Sequence, residues 1–272
     1  MNNYRYNERE REVLDLIASV EKALGILSAL ADGENSPITV STLAKAVGIN
    51  RSTCSHIVKT LVTCGYAQRV SHKDGYILGP ESYCLSRFGR YDNEIIEVCQ
   101  PIMNWLYKKT GFAVVLAVIA NDEKYIIKSL DKEQKIFLKD ESIRSDDIYR
   151  TATGRIILAN MNAPDIKSIY AKFGNPKENE WSGIGSYDQL VEQLAKISKR
   201  DIVVTTHKIN PLISVGLGGA IFKGSKCLGA IGLASMLSES EYENFPQREK
   251  ELNETLKKGI AEINRRLNYV IS

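Results

Sequence analysis

Histidine is scarce in this 272-residue chain, with three residues at His56, His72 and His207. None is matched by spacing to a serine in an elbow motif or to a carboxylate pair, so no nucleophilic triad or acid/base pair is assembled and no catalytic residue is assigned. Cysteines are few and odd in number, Cys54, Cys64, Cys84, Cys99 and Cys227, with no C-x-x-C pairing. That excludes a disulfide framework and suits a reducing compartment. A zinc site wants closely spaced ligands, whereas Cys54 and His56 stand on different faces of a helix, so no metal is expected. Long apolar runs are also missing: Phe112 to Ala120 is closed by Asn121, Asp122, Glu123 and Lys124, well short of the ~18 residues of a membrane span. The polar, charged stretch Met1 to Glu12 is unlike a secretory signal, and a cytoplasmic protein with no membrane contact is expected. No cofactor is implied. Gly216, Gly218 and Gly219 start a G-x-G pattern, but Ile221 stands where its third glycine belongs, and GAIFKGSK over 219–226 lacks the Gly-Lys-Ser order of a phosphate loop.

What is present is ordinary for a folded protein: 43% hydrophobic and 25% charged residues, close to soluble globular averages. At ~150 residues per domain the length predicts about two domains. The net charge of +3 decides nothing, but its distribution does. Residues 45–90 carry seven cations against two anions, the local excess that a nucleic-acid footprint needs.

The first third reads as short helices. Asn7 to Leu30 repeats apolar residues at three and four, and Asp32 and Gly33 stop it. Ser41 is placed to cap a short helix that Gly48 ends, and Asn50 or Ser52 caps the next, which runs to Thr63 with Gly65 beyond it. In that helix Cys54, Ile57, Val58 and Leu61 form the buried stripe. Ser52, Ser55, His56 and Lys59 are left facing outward, with Arg51 and Thr53 in the first turn and no acid among them. Tyr66 to Val70 and Tyr76 to Leu78 make a small hairpin with Lys73, Asp74 and Gly75 at its tip. Helix, short glycine turn, helix and basic hairpin is a winged helix-turn-helix, whose second helix enters the major groove. Arg51, Ser52, Thr53, Ser55, His56 and Lys59 are the candidate DNA contacts on the helix, and Arg69 and Lys73 those on the wing.

Pro80 to Thr110 returns to helix with a break near Gly89 to Asp92. Beyond it, Phe112 to Ala120, Lys124 to Leu130, Lys135 to Lys139, Ile202 to Thr206, Ile213 to Phe222 and Cys227 to Ala234 are strand-like. Thr151 to Asn160, Asp165 to Phe173, Tyr187 to Lys199 and a closing Glu239 to Asn268, bent near Pro246, are helix-like. Ser186 with Gln189 at N3 reads as a capping box. The whole is α+β: a winged helix-turn-helix domain over residues 1–80, a linker helix over 81–98, and an α/β domain with a mostly antiparallel sheet over 99–272. In the second domain Thr151, Thr153 and Gly154 begin a helix whose free N–H groups attract a carboxylate, with Arg155 close by. A plain helix cap explains the same residues. Asp140, Glu141, Arg144 and Asp147 read as a solvated charged loop.

SVEKALGILSAL (19–30), LAKAVGINRSTCSHIVKTLVTCG (43–65), YILG (76–79), TATGRIILA (151–159) and SVGLGGAIFKGSKCLGAIGLA (214–234) resemble the IclR family of bacterial transcriptional regulators. The resemblance covers nearly the whole chain in order. It implies a GAF-like effector domain after the linker helix, a homodimer or homotetramer acting on double-stranded operator DNA, and a small organic-acid effector. Two departures stand out. Gly154 and Arg155 replace the family's usual Gly-Lys pair, and Lys208 to Leu212 stand where acidic residues are usual. The positions matching the family's polar pocket lining are Gly216, Leu217, Gly232 and Ala234. The expected function is therefore a sequence-specific regulator whose operator affinity follows an effector. Its alternatives are a protein-binding module with a basic winged-helix face and a small-molecule enzyme with an accessory N-terminal domain.

Overall fold

The computed structural model describes residues 16–31, 36–71, 75–88, 93–131, 144–145 and 147–269. They divide into two compact units, residues 1–91 and 92–272.

In the first unit, α1 (Ala18–Ala31), α2 (Val40–Val47) and α3 (Arg51–Thr63) precede the strands β1 (Ala67–Ser71) and β2 (Gly75–Leu78), and α4 (Pro80–Phe88) follows. Ile26, Leu30, Leu43, Ala44, Cys54, Val58, Leu61 and Ala67 form its core. The N-cap of α2 is Thr39, not Ser41. Ile38 exchanges two backbone hydrogen bonds with Tyr76 of β2, so the chain is extended through Ile38 and first free to turn at Thr39. At the other end Gly48 has φ 70° and donates to the carbonyls of Ala44 and Lys45, a left-handed closure that favours glycine. Asn50 then caps α3, its Oδ1 accepting from the Thr53 N–H at 2.7 Å. β1 and β2 pair antiparallel, Arg69 opposite Tyr76.

The second unit is built on a six-stranded antiparallel sheet in the order β5-β4-β3-β8-β7-β6. Its strands are β3 (Ala113–Ala120), β4 (Glu123–Leu130), β5 (Arg144–Ser145), β6 (Val203–Ile209), β7 (Leu212–Lys223) and β8 (Lys226–Leu237). On one face lie α5 (Asn93–Thr110) and α10 (Phe245–Tyr269), burying Ile95, Met103, Leu106, Leu116, Leu217, Leu233, Leu256 and Ile263 among others. On the other lies α6 (Ala152–Leu158), covered in turn by α7 (Ala163–Phe173) and α8 (Tyr187–Ile197). The closing segment is two helices, α9 (Glu239–Glu243) and α10, with Asn244 between them. Ser186 caps α8 through the Gln189 N–H, but the Gln189 side chain accepts from Gly185 instead. The full capping box is at α9, between Ser238 and Glu241. The strand expected over Lys135 to Lys139 and the break at Gly89 to Asp92 lie outside the described residues.

Candidate nucleic-acid interface and ligand face

α3 is anchored by Cys54, Val58 and Leu61, all buried, with Ile57 half-buried beside them. At roughly 1.5–3 kcal/mol per buried aliphatic side chain, that stripe holds the helix in one rotational setting. The opposite face therefore points outward as a consequence. Arg51, Ser52, Ser55, His56 and Lys59 are all exposed. Thr53 is half-buried, and its N–H is committed to the Asn50 cap. Two further exposed hydroxyls extend the stripe: Thr60 donates to the His56 carbonyl at 3.2 Å and Thr63 to the Lys59 carbonyl at 3.0 Å, leaving oxygen lone pairs outward. Their place in the same helical period as His56 and Lys59 was the signal for them. Arg69 is exposed on β1, its guanidinium 5.8 Å from the Tyr76 ring centroid. Lys73 lies outside the described residues. Serine, threonine, lysine and arginine on a convex helix face are groups that bond base edges and phosphates.

In the second unit, Thr151 caps α6 by accepting the Gly154 N–H at 3.2 Å. Gly216, Gly218 and Gly232 lie under α6. A Cβ on Gly218 would come within 2.7 Å of the Ala152 main chain, and one on Gly232 within 2.7 Å of the Thr153 methyl. The glycines therefore let a helix lie directly on the sheet. Gly154 is held as closely, since a Cβ there would stand 2.1 Å from the Ile148 carbonyl oxygen. Ala234 pairs with Gly216 and shares this face. The fold thus brings together Thr151, Thr153, Gly154, Gly216, Gly232 and Ala234, but packs most of them tightly.

Two expectations are corrected. Leu217, fully buried, points to the opposite face among α5 and α10, because strand alternation turns it away from Gly216 and Gly218. Arg155 is a clamp rather than a free cation. It donates to the Tyr149 carbonyl at 2.7 Å and the Glu180 carbonyl at 2.6 Å, and its guanidinium lies 4.2 Å from the Trp181 ring centroid. Burial lowers its pKa to about 10.

Sequence reading missed three polar groups here. Lys124 on β4 is buried, with an ammonium that pairs with Asp147 and donates to the Thr151 hydroxyl at 3.0 Å. Asp147 is therefore part of a buried pair and not simply a solvated loop residue. The available signal was phase: Lys124 lies two residues from Ile126, and their partners Ile119 and Ala117 line the α6 side. His207 on β6 donates from Nε2 to the Arg150 carbonyl at 2.7 Å. Tyr149 is 2% exposed and its hydroxyl has no partner among the described residues. All five cysteines are free, and among the described residues no group of three His, Cys, Asp or Glu side chains could hold a metal ion. No described helix is long and apolar enough to cross a membrane.

Residues 19–71 match the IclR helix-turn-helix domain, and residues 91–210 match the bacterial transcriptional regulator IclR C-terminal domain. The chain belongs to the IclR family. Among curated IclR-type relatives it is similar to the transcriptional regulator KdgR of Escherichia coli K12, 26% identical over 57% of this chain and 58% of that protein. The match to KdgR of Dickeya chrysanthemi is 25% identical over 66% of this chain and also spans 58% of the relative. The chain thus covers less than two thirds of the length of these two regulators. XynR of E. coli K12 is 19% identical, over 91% of this chain and 99% of its own. Solved IclR structures share the fold. The regulator from Alicyclobacillus acidocaldarius superposes with TM-score 0.72 at 18% identity, covering 93% of this chain and 99% of that one. The IclR homolog from Microbacterium hydrocarbonoxydans, complexed with 4-hydroxybenzoate, does so with TM-score 0.70 at 16% identity over 91% and 99%. An α+β IclR fold, with a helix-turn-helix and then an antiparallel sheet dressed by helices, is thereby established for this chain.

Proposed function

We propose that this IclR-family chain is a sequence-specific, homo-oligomeric DNA-binding regulator in the cytoplasm, and not an enzyme, whose operator affinity is set by a small organic acid. The carrying observation is the outward face of α3, where Ser52, Ser55, His56 and Lys59 are exposed together with no acid, over a buried stripe that prevents the helix from rolling. Those four residues read bases. Arg51 and Arg69, with Lys73 of the wing, contact phosphates. The curated relatives are named transcriptional regulators, which supports regulation over catalysis.

The face formed by Thr151, Thr153, Gly154, Gly216, Gly232 and Ala234 is the proposed ligand face, and the 4-hydroxybenzoate held by the Microbacterium homolog supports an organic acid as its ligand class. Because α6 lies in van der Waals contact with glycines, a ligand entering here must displace α6. That displacement supplies the difference between two states that ligand control requires. Oligomerisation is supported by α1, which exposes Val20 and Leu24, in line with exposed Ile17 just before it, on the side away from buried Ile26 and Leu30.

The test is binding of the full chain to a duplex carrying the region upstream of its own gene, against a scrambled duplex, across a salt series. A preference of about a thousandfold or more is expected. Lys59→Ala should weaken binding by about 1–3 kcal/mol and lower the preference for the specific duplex. Replacing Arg69 should weaken both duplexes alike and reduce the salt slope by about 0.9. Equal, weak binding of both duplexes would overturn the reading and leave the basic face to an acidic protein partner.

A further inference from the structure

Lys124 is the one charged side chain fully buried among the described residues. β4 sets it opposite Ile119, on the face that carries α6, and its ammonium meets the Asp147 carboxylate and the Thr151 hydroxyl. The two ends of this ion pair are unequal: the Lys124 side chain is 2% exposed and the Asp147 side chain 30%. Asp147 is therefore the solvent-side cover of a buried cation. Removing that cover would leave the ammonium uncompensated and would open a route to it from water. Asp147 also accepts, through its backbone carbonyl, the N–H groups of Arg150 and Thr151, so it shapes the turn that leads into α6. Two residues along that turn, the buried Tyr149 hydroxyl has no hydrogen-bond partner among the described residues. A turn whose buried hydroxyl is unsatisfied in the present arrangement stands to gain a hydrogen bond in another.

We propose that Lys124 is an anion-recognition residue whose site is filled by the chain's own Asp147. A small carboxylate binds there by taking the place of the Asp147 carboxylate. Its arrival frees Asp147 and loosens the turn into α6, while Thr151 keeps the third corner of the site. No bond is made or broken; one carboxylate exchanges for another on the same ammonium. The regulatory half of the proposal rests on the ligand-face reading above. The anion site itself does not.

The experiment is carboxylate rescue in the full chain, with formate and acetate as probes. Asp147→Ala should melt at a lower temperature than the natural protein, and formate or acetate should restore the melt along a saturable curve with a midpoint of about 1–100 mM. The natural protein, already occupied, should bind these anions at least about tenfold more weakly by calorimetry. The double variant Lys124→Met with Asp147→Ala should lose the saturable response. Asp147→Asn, which keeps the shape of the side chain, carries the same titration should Asp147→Ala not fold. Absence of a saturable response in both single variants, or an equal response in the double variant, would overturn the proposal. Operator binding measured with and without acetate separates the two readings. Saturable anion binding with unchanged DNA affinity upholds the anion site and sinks ligand control through this turn, whereas a changed DNA affinity upholds both.

Discussion

At the residue scale the second unit depends on atoms that are missing as much as on those present. Gly154 lies against the Ile148 carbonyl so closely that any side chain must move the turn or α6. Gly154→Ala is expected to cost about 2–3 kcal/mol through overpacking, and to lower the melting temperature of this unit by about 5–10 °C. Gly185→Ala is the control, because its Cβ would meet only the Gln189 side chain, at an ordinary 3.6 Å. Equal melts for the two variants would show that the contact with Ile148 is soft. His207 makes a second residue-scale prediction. Burial first, and then the Arg155 and Arg150 charges, hold its pKa below the usual 6.5, against the opposing pull of the Arg150 and Asn179 carbonyls. The folded state thus binds its proton less readily than the unfolded chain does. His207 favours folding fully above pH 6.5, and that contribution is lost as pH falls from there through the lower folded value. Thermal melts between pH 5 and 7.5 should show a steeper acid-side loss for the natural chain than for His207→Gln, and parallel curves would rule the assignment out.

At the scale of elements, what was legible in the sequence followed local period. The buried stripe of α3, its outer face, Gly48 in the turn and the strands β3 and β7 follow from local pattern, and the structure places them there within a residue or two, while β8 runs three residues past its expected end, to Leu237. The misses were set by partners distant in sequence. Thr39 rather than Ser41 caps α2 because Ile38 is paired with Tyr76, which no local pattern displays. Lys124 and Asp147 looked like surface charges because their pairing is created by sheet register and by the turn into α6. Leu217 followed its family position into the ligand face, while strand alternation puts it in the opposite core. One helix has an expected consequence of its own. Leu24 on α1 is 59% exposed, in line with Ile17 and Val20, and the buried side of the same helix is already filled by Ile26 and Leu30. If a second copy covers this stripe, Leu24→Glu should convert the oligomer to a smaller species by light scattering while leaving helix content unchanged. An unchanged mass would move the interface elsewhere.

At the scale of the molecule, the described residues bury one apolar cluster within residues 1–91 and three within 92–272. Among the described residues the first unit's cluster has eight buried apolar residues, the sheet-based unit nineteen in its main cluster alone. Since apolar burial is the main favourable term and small domains bury proportionally less, the first unit should be the less stable by a wide margin. Thermal unfolding is then expected in two steps, with helical signal from the first unit lost at the lower temperature and the sheet persisting above it. Residues 92–272 expressed alone should fold and retain the upper transition, along with the formate response of the Asp147→Ala variant, because Lys124, Asp147 and Thr151 all belong to that unit. The same fragment should not bind the duplex, since every proposed DNA contact lies in residues 51–73. A single cooperative transition in the full chain, with an unfolded isolated fragment, would mean that the two units stabilise each other. Signal transfer between ligand and DNA would then run through that mutual stabilisation rather than through a switch confined to the turn at Asp147.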